Sequence, residues 1–208
     1  MRIANDERLS ILKEYARKHF SLSKNVRTLA LLISEKETRE YRELAAREVE
    51  TNPALQEFIK QHQPNTADHE TLEILPTEAC LINLKKNLQI KVLRELVTKS
   101  ETMIRHFEKY EYVILIREEL LEPFGKRKFS SFEGCDANFA ELALCWLLTH
   151  EFLHIIEEAT RIQIYGSQEK DDIHQLQVLN TLPQEYWEKG TKNGVVARDS
   201  QTNMSMII

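Results

Sequence analysis

The chain has 208 residues, of which 42% are hydrophobic and 29% are charged, as in an ordinary soluble globular protein. This length accommodates one compact domain or two small ones with a sizeable hydrophobic core. A net charge of −5 and a pI near 5.9 argue against a nucleic-acid-binding protein, which normally carries a basic surplus.

The N-terminus and the cysteines bear on the cellular location. The residues from Met1 to Arg8 are too polar for a signal peptide. No uninterrupted apolar stretch approaches the roughly 18 residues of a transmembrane helix. Cys80, Cys135 and Cys145 leave an odd cysteine in any disulfide pairing, which favours free thiols in a reducing compartment. We expect a cytoplasmic protein with no membrane and no nucleic-acid partner, although delivery elsewhere as a toxin or effector stays open.

Helical periodicity dominates the first half of the chain, where no glycine occurs before Gly125. Apolar spacing predicts a helix over about 6–20, a second helix that starts near residue 25 and reaches Val49, and a third over about 78–108. Asn52 is placed to cap a further short turn that ends by Pro64, and a polar connection follows over 64–77. We interpret these helices as a scaffold.

The segment from Tyr110 to Arg117 is rich in aromatic and β-branched residues and is the best strand candidate. A loop from Pro123 to Cys135 is predicted to follow it. Asn138 is then a plausible N-cap, with Glu141 three residues later in a capping-box arrangement. This pattern predicts a helix over about 139–159.

That last helix contains the sequence His150-Glu151-Phe152-Leu153-His154, an H-E-x-x-H motif. Helical residues four apart lie on one face, so both imidazoles can bind a single metal ion. Glu151 lies at the edge of that face, where it can take a proton from a water at the metal. The surrounding residues from Leu142 to Ile156 are largely apolar, and ionisable groups are rarely buried unless they are paired or bind a metal. The motif therefore predicts a hydrolytic zinc site on a buried helix.

The ten residues from Leu147 to Ile156 resemble the zincin metallopeptidases, in which uncharged residues flank the motif and separate its histidines. The resemblance implies a Zn²⁺ cofactor, His150 and His154 as its ligands, Glu151 as general base and a protein or peptide substrate. Zincins also place a strand before the active helix, and its edge binds an extended substrate. The glycine and third histidine that follow the motif in metzincins are absent after His154, so no particular family is indicated.

Catalytic zinc normally has three protein ligands, so a third must lie outside the motif. A second helical stretch is predicted over about 169–180, and His174 in it is the first choice, at a spacing where several zincin families supply a ligand from the next helix. The alternatives are the nearby acids Asp171, Asp172 and Glu169, and more distantly Glu185 or Glu188.

Two further roles are assigned from helical spacing and residue type. Glu157 and Glu158 share the face of the histidines and could orient a ligand imidazole through a hydrogen bond. A donor that stabilises the tetrahedral oxyanion could be Tyr165, with Arg161, Tyr186 and His106 as alternatives that the sequence does not rank.

The predicted fold is mostly α (α+β), a helical scaffold with a small strand element before a buried, zincin-like active helix. Residues 1–109 are assigned to the scaffold, 110–188 to the catalytic region packed on it as one unit, and 189–208 to a flexible tail. Two other functions stay open. One is a di-iron carboxylate bundle, because residues 151–154 and 171–174 both have an E/D-x-x-H form. The other is a metal-free helical interaction module.

Overall fold

A mixed four-stranded sheet and a long helix packed against it organise the described part of the chain. The computed structural model describes residues 1–4, 6–23, 25–53, 56–57, 78–85, 107, 109–130, 138–164, 175, 178–179, 181–183 and 185–188. The strands are β1 (Arg2–Ile3), β2 (Thr28–Ile33), β3 (Ala79–Asn83) and β4 (Tyr112–Arg117). The helices are α1 (Asp6–Phe20), α2 (Glu35–Thr51), α3 (Glu118–Lys128), α4 (Phe139–Thr160) and α5 (Glu185–Glu188).

The strand order is β1-β2-β4-β3, with β2 and β4 parallel and the outer strands antiparallel to their neighbours. Both inner strands are almost continuously apolar, as expected for parallel strands that are covered on both faces. Ala30 and Leu32 pack in the core that contains α1 and α4, whereas Leu29, Leu31 and Ile33 pack in a second core with Tyr41 of α2. The sheet therefore separates two apolar layers, and α4 lies in the larger one.

The predicted helices 6–20 and 139–159 and the strand 110–117 are confirmed, with α4 ending at Thr160. The side chain of Asn138 accepts a hydrogen bond from the N–H of Glu141 at 3.3 Å and caps α4 as predicted. The carboxylate of Glu141 turns to Arg8 at 2.6 Å, a guanidinium that is only 1% exposed. Arg8 thereby ties α1 to the start of α4.

The predicted helix from about residue 25 is wrong over residues 28–33, which form β2. A six-residue apolar run fits a buried strand and a buried helix equally well by periodicity, and pairing with β4 decides between them. The helix begins only at Glu35, because Ser34 and Glu37 form a complete capping box.

The predicted helix over 78–108 is wrong at its start, because residues 79–83 form β3 and pair with β4. The predicted loop from Pro123 is also wrong over 123–128, which belongs to α3. Pro123 removes one hydrogen bond from that helix, and the packing of α3 on α4 offsets the loss.

The helices α3 and α4 come close together at the buried Gly125. A Cβ atom built on this glycine would lie 2.0 Å from the backbone oxygen of Phe139, the first residue of α4. The start of the motif helix is thus held against α3 by backbone-to-backbone contact.

Among the described residues, α4 is the one helix that is long and apolar enough to cross a membrane by length and composition. Buried residues make up 72% of its most apolar window, as in the core helix of a globular protein. Its hydrophobicity is accounted for by the sheet and helices that surround it.

Candidate metal centre

The two motif histidines face each other on adjacent turns of α4. Their rings are nearly perpendicular, with centroids 4.9 Å apart, and the Nε2 atoms of His150 and His154 are 3.2 Å apart. Both residues are partly exposed, although the residues between them on α4 are buried. The pair therefore directs two nitrogen atoms to one point at the edge of the core.

The tautomer of His150 follows from its contact with Gln175. The amide Nε2 of Gln175 donates to the backbone oxygen of Trp146 at 2.7 Å, so its Oε1 must be the atom that faces His150 Nδ1, at 3.0 Å. An amide oxygen can only accept, so Nδ1 of His150 carries the proton. Nε2 of His150 is left with its lone pair.

The carboxylate of Glu157 acts in the same way on His154. Its Oε2 lies 3.0 Å from Nδ1 of His154, while its Oε1 accepts the N–H of Ile164 at 2.8 Å. The second hydrogen bond holds the carboxylate in place just beyond the end of α4. An ionised carboxylate accepts only, so the neutral imidazole of His154 also has its lone pair on Nε2.

Two lone pairs 3.2 Å apart repel each other unless a cation lies between them. A proton shared by the two imidazoles satisfies this requirement, and so does a metal ion. Zinc–nitrogen bonds of about 2.0–2.1 Å at a tetrahedral angle give a nitrogen–nitrogen separation of about 3.3 Å. The histidine pair therefore fits two adjacent positions of a zinc ion.

Glu151 follows His150 on α4 and contacts the edge strand β3 at Leu81. The residue is 7% exposed, and a hydrogen bond with the backbone of Leu81 acts on the pKa of its carboxylate. Backbone hydrogen bonds at Glu78 and Leu84 pair β3 with β4. Because successive residues of a strand direct their N–H and C=O groups to opposite sides, those of residues 79, 81 and 83 point away from β4. Burial raises the pKa of Glu151 to about 7, and the Leu81 hydrogen bond opposes that rise.

No family model, curated protein or solved structure matches the chain. The function is therefore argued from the geometry of the site.

Several predicted site residues fall outside the described ranges. These are the ligand candidates His174, Asp171, Asp172 and Glu169, and the oxyanion candidates Tyr165 and His106. Among the described residues, no group of three or more His, Cys, Asp or Glu side chains is close enough to hold a metal ion. The described residues thus contain the histidine pair and Glu151, and a third ligand stays a prediction.

The other predicted residues have defined surroundings. Glu158 accepts a hydrogen bond from Nδ2 of Asn83 at 2.6 Å, which adds a second link between α4 and β3. Arg161 ends α4 in the left-handed region, with φ of 61°. The hydroxyl of Tyr186 contacts Thr149 Oγ1 at 2.7 Å and the backbone oxygen of Cys145 at 3.1 Å inside the core. Glu185 is exposed on α5.

Gln175 is the one described contact of the histidine pair that the sequence interpretation missed. It is fully buried and directly follows the ligand candidate His174 in the sequence. A glutamine in a polar helical stretch is normally interpreted as solvent-facing, and nothing in the motif predicts where it packs.

A cavity of about 400 Å³ lies beside the C-terminal ends of α1 and α4, away from the motif residues. Within the described ranges its lining has one titratable side chain, His19, beside serine, threonine and apolar residues. A lone histidine supplies no acid–base pair or ligand set, so the cavity is a weaker candidate than the histidine pair.

The raised pKa of Glu151 predicts a pH-dependent stability in the metal-free protein. Because the folded-state pKa of about 7 exceeds the ordinary value of 4.5, the folded state binds this proton more tightly than the unfolded state. The free energy of unfolding should be highest at a pH below 4.5, the ordinary pKa, and should fall as the pH rises towards 7. The loss should be on the order of 3 kcal/mol.

Glu151→Gln should lack this pH-dependent loss, because glutamine does not titrate. Urea denaturation of both proteins with a chelator at pH 5 and pH 8 measures the difference. Equal pH dependence in the two proteins would show that Glu151 does not have a raised pKa.

Proposed function

We propose that this chain is a zinc-dependent metallopeptidase that hydrolyses peptide bonds in a protein or peptide substrate. The observation that carries the proposal is that the Nε2 atoms of His150 and His154 lie 3.2 Å apart, while Nδ1 of each ring contacts a further side chain at 3.0 Å. A site built only for packing would not need to direct two imidazole lone pairs at each other. A shared proton and a metal ion would each satisfy this pairing, and the H-E-x-x-H motif favours the metal ion.

In the proposed reaction, His150 and His154 would hold zinc through Nε2, and a bound zinc ion would supply the Lewis acidity that acidifies water and polarises the scissile carbonyl. The carboxylate of Glu151 accepts the proton of the attacking water and later delivers it to the leaving amine. A group with a pKa near neutrality, as burial gives Glu151, suits both steps at physiological pH. The Leu81 hydrogen bond holds the carboxylate against the backbone of β3.

The substrate edge differs from the one expected from the zincin resemblance. The strand directly before the motif, β4, lies between β2 and β3 and has no free edge. The edge strand nearest Glu151 is β3, whose outward backbone groups at Ala79 and Asn83 flank Leu81. An extended peptide could pair with that edge by strand addition, which would bring its backbone beside Glu151.

We retain His174 as the proposed third ligand and Tyr165 as the proposed oxyanion donor. Support for His174 comes from Gln175, the next residue in the chain, which contacts His150 directly. Asp171, Asp172 and Glu169 lie within the same stretch of sequence and are the alternatives.

Metal analysis of the purified protein tests the proposal. We expect one zinc ion per chain, lost in His150→Ala and retained in the control His19→Ala, which alters an exposed histidine away from the motif. Two irons per chain would support the di-iron alternative, and no metal would support the interaction module. Either of these results would overturn the metallopeptidase proposal.

A further inference from the structure

Gln175 bridges two consecutive turns of the motif helix. It is 0% exposed, and its amide spans from the backbone oxygen of Trp146 to Nδ1 of His150, with distances of 2.7 Å and 3.0 Å. Burial of a primary amide is unfavourable unless its polar atoms are hydrogen-bonded, and here both ends of the amide have a partner. The amide is thus held at a specific place and in a specific orientation.

The orientation of the amide determines which nitrogen of His150 can bind a cation. Reversing the amide would place an oxygen against the Trp146 carbonyl and an NH₂ group against Nδ1 of His150. The first contact would be repulsive, because neither oxygen has a proton to donate. The backbone of α4 therefore selects the amide orientation, and the amide selects the Nδ1–H form of His150.

The partners of the two histidines differ in charge. Glu157 is a carboxylate and is itself anchored by the N–H of Ile164, whereas Gln175 is a neutral amide anchored by Trp146. A neutral partner orients an imidazole without adding negative charge beside Glu151, which is already buried. Both imidazole rings therefore have a fixed orientation, but only His154 has a charged partner.

We propose that Gln175 is a positioning residue that holds His150 in the Nδ1–H tautomer, which leaves Nε2 as the nitrogen that can bind a cation. The role of Gln175 in metal binding rests on the proposed zinc site. The tautomer of His150 follows from the hydrogen bonds alone and does not depend on that proposal. Loss of the amide should allow the His150 ring to rotate and to exchange its proton between the two nitrogens. Zinc affinity should then fall about 10–100-fold, the usual effect of losing a partner that orients a ligand histidine.

The test compares wild type with Gln175→Met, which keeps the length and burial of the side chain and removes both hydrogen bonds. Gln56→Met is the matched control, since the amide of Gln56 also donates to a backbone oxygen, that of Val49, at 2.9 Å. Imidazole ¹⁵N chemical shifts of the metal-free proteins, recorded at a pH where the rings are neutral, report the tautomer of His150. Zinc titration of the same samples reports the dissociation constant.

We expect the Nδ1–H form of His150 in wild type and in Gln56→Met, and a mixture of tautomers with weaker zinc binding in Gln175→Met. An Nε2–H form in wild type would overturn the proposal whether or not zinc binds. An unchanged tautomer and affinity in Gln175→Met would also overturn it. The Nδ1–H form in a protein that binds no zinc would support the positioning role and reject the metallopeptidase. The wild-type measurement keeps the test decisive if Gln175→Met does not fold.

Discussion

Replacing Glu151 with glutamine is expected to lower kcat/KM for peptide hydrolysis by about 10²–10⁴-fold while zinc stays bound. Glutamine has almost the same size as glutamate, and its Oε1 can still accept the hydrogen bond from the Leu81 N–H. It cannot accept a proton from water at neutral pH. The histidines would keep their own partners, Gln175 and Glu157, so metal affinity should change little.

Hydrolysis of a fluorescently labelled casein, with zinc content measured on the same preparation, tests this expectation. Glu122→Gln is a suitable control, because Glu122 is exposed on α3 and pairs with Lys126. Full hydrolysis by Glu151→Gln with normal zinc content would show that Glu151 is not the general base and that another group has this role. Loss of both zinc and activity would instead assign Glu151 a structural role in the site.

Gly125→Ala is expected to lower the free energy of unfolding by at least about 3 kcal/mol, at the upper end of the usual cost of overpacking. The added Cβ would lie 2.0 Å from the oxygen and 2.6 Å from the carbonyl carbon of Phe139. Both are backbone atoms, so no side-chain rotation relieves the clash and α3 must move away from α4. The N-terminal turn of α4, including the cap at Asn138, would move with it.

Urea denaturation of Gly125→Ala against Lys126→Ala measures the effect, since Lys126 is the next residue on α3 and is exposed. The free energy of unfolding of the control should lie within about 0.5 kcal/mol of the wild-type value, as is usual for surface substitutions. A similarly small change in Gly125→Ala would mean that α3 and α4 are not in contact at this point.

The sequence predicted best where one pattern excluded its alternatives. Asn138 before a long apolar run predicted the start of α4 correctly, and the β-branched segment before Arg117 predicted β4. The strand β2 was missed because Thr28 to Ile33 is too short for periodicity to distinguish a strand from a buried helix. The strand β3 was missed for a related reason, since only its pairing with β4 decides its conformation.

The site was predictable to the extent that its geometry is local. The spacing of His150 and His154 along one helix makes their rings converge, and the convergence is seen at 3.2 Å. The contact between Glu157 and His154 also follows from helical spacing. Gln175 and the Leu81 amide reach the site from other elements, and no local pattern encodes where such elements pack.

The parallel pairing of β2 with β4 has a consequence for how the protein folds. The two strands are far apart in the sequence, and both are buried in the centre of the sheet. Contacts between distant parts of a chain carry a large loop-closure cost, so this pairing should form slowly relative to the helices. Because α4 packs on the completed sheet, its contacts with β3 and β4 should form at the end of folding, and a nascent chain will expose the apolar surface of α4 until then.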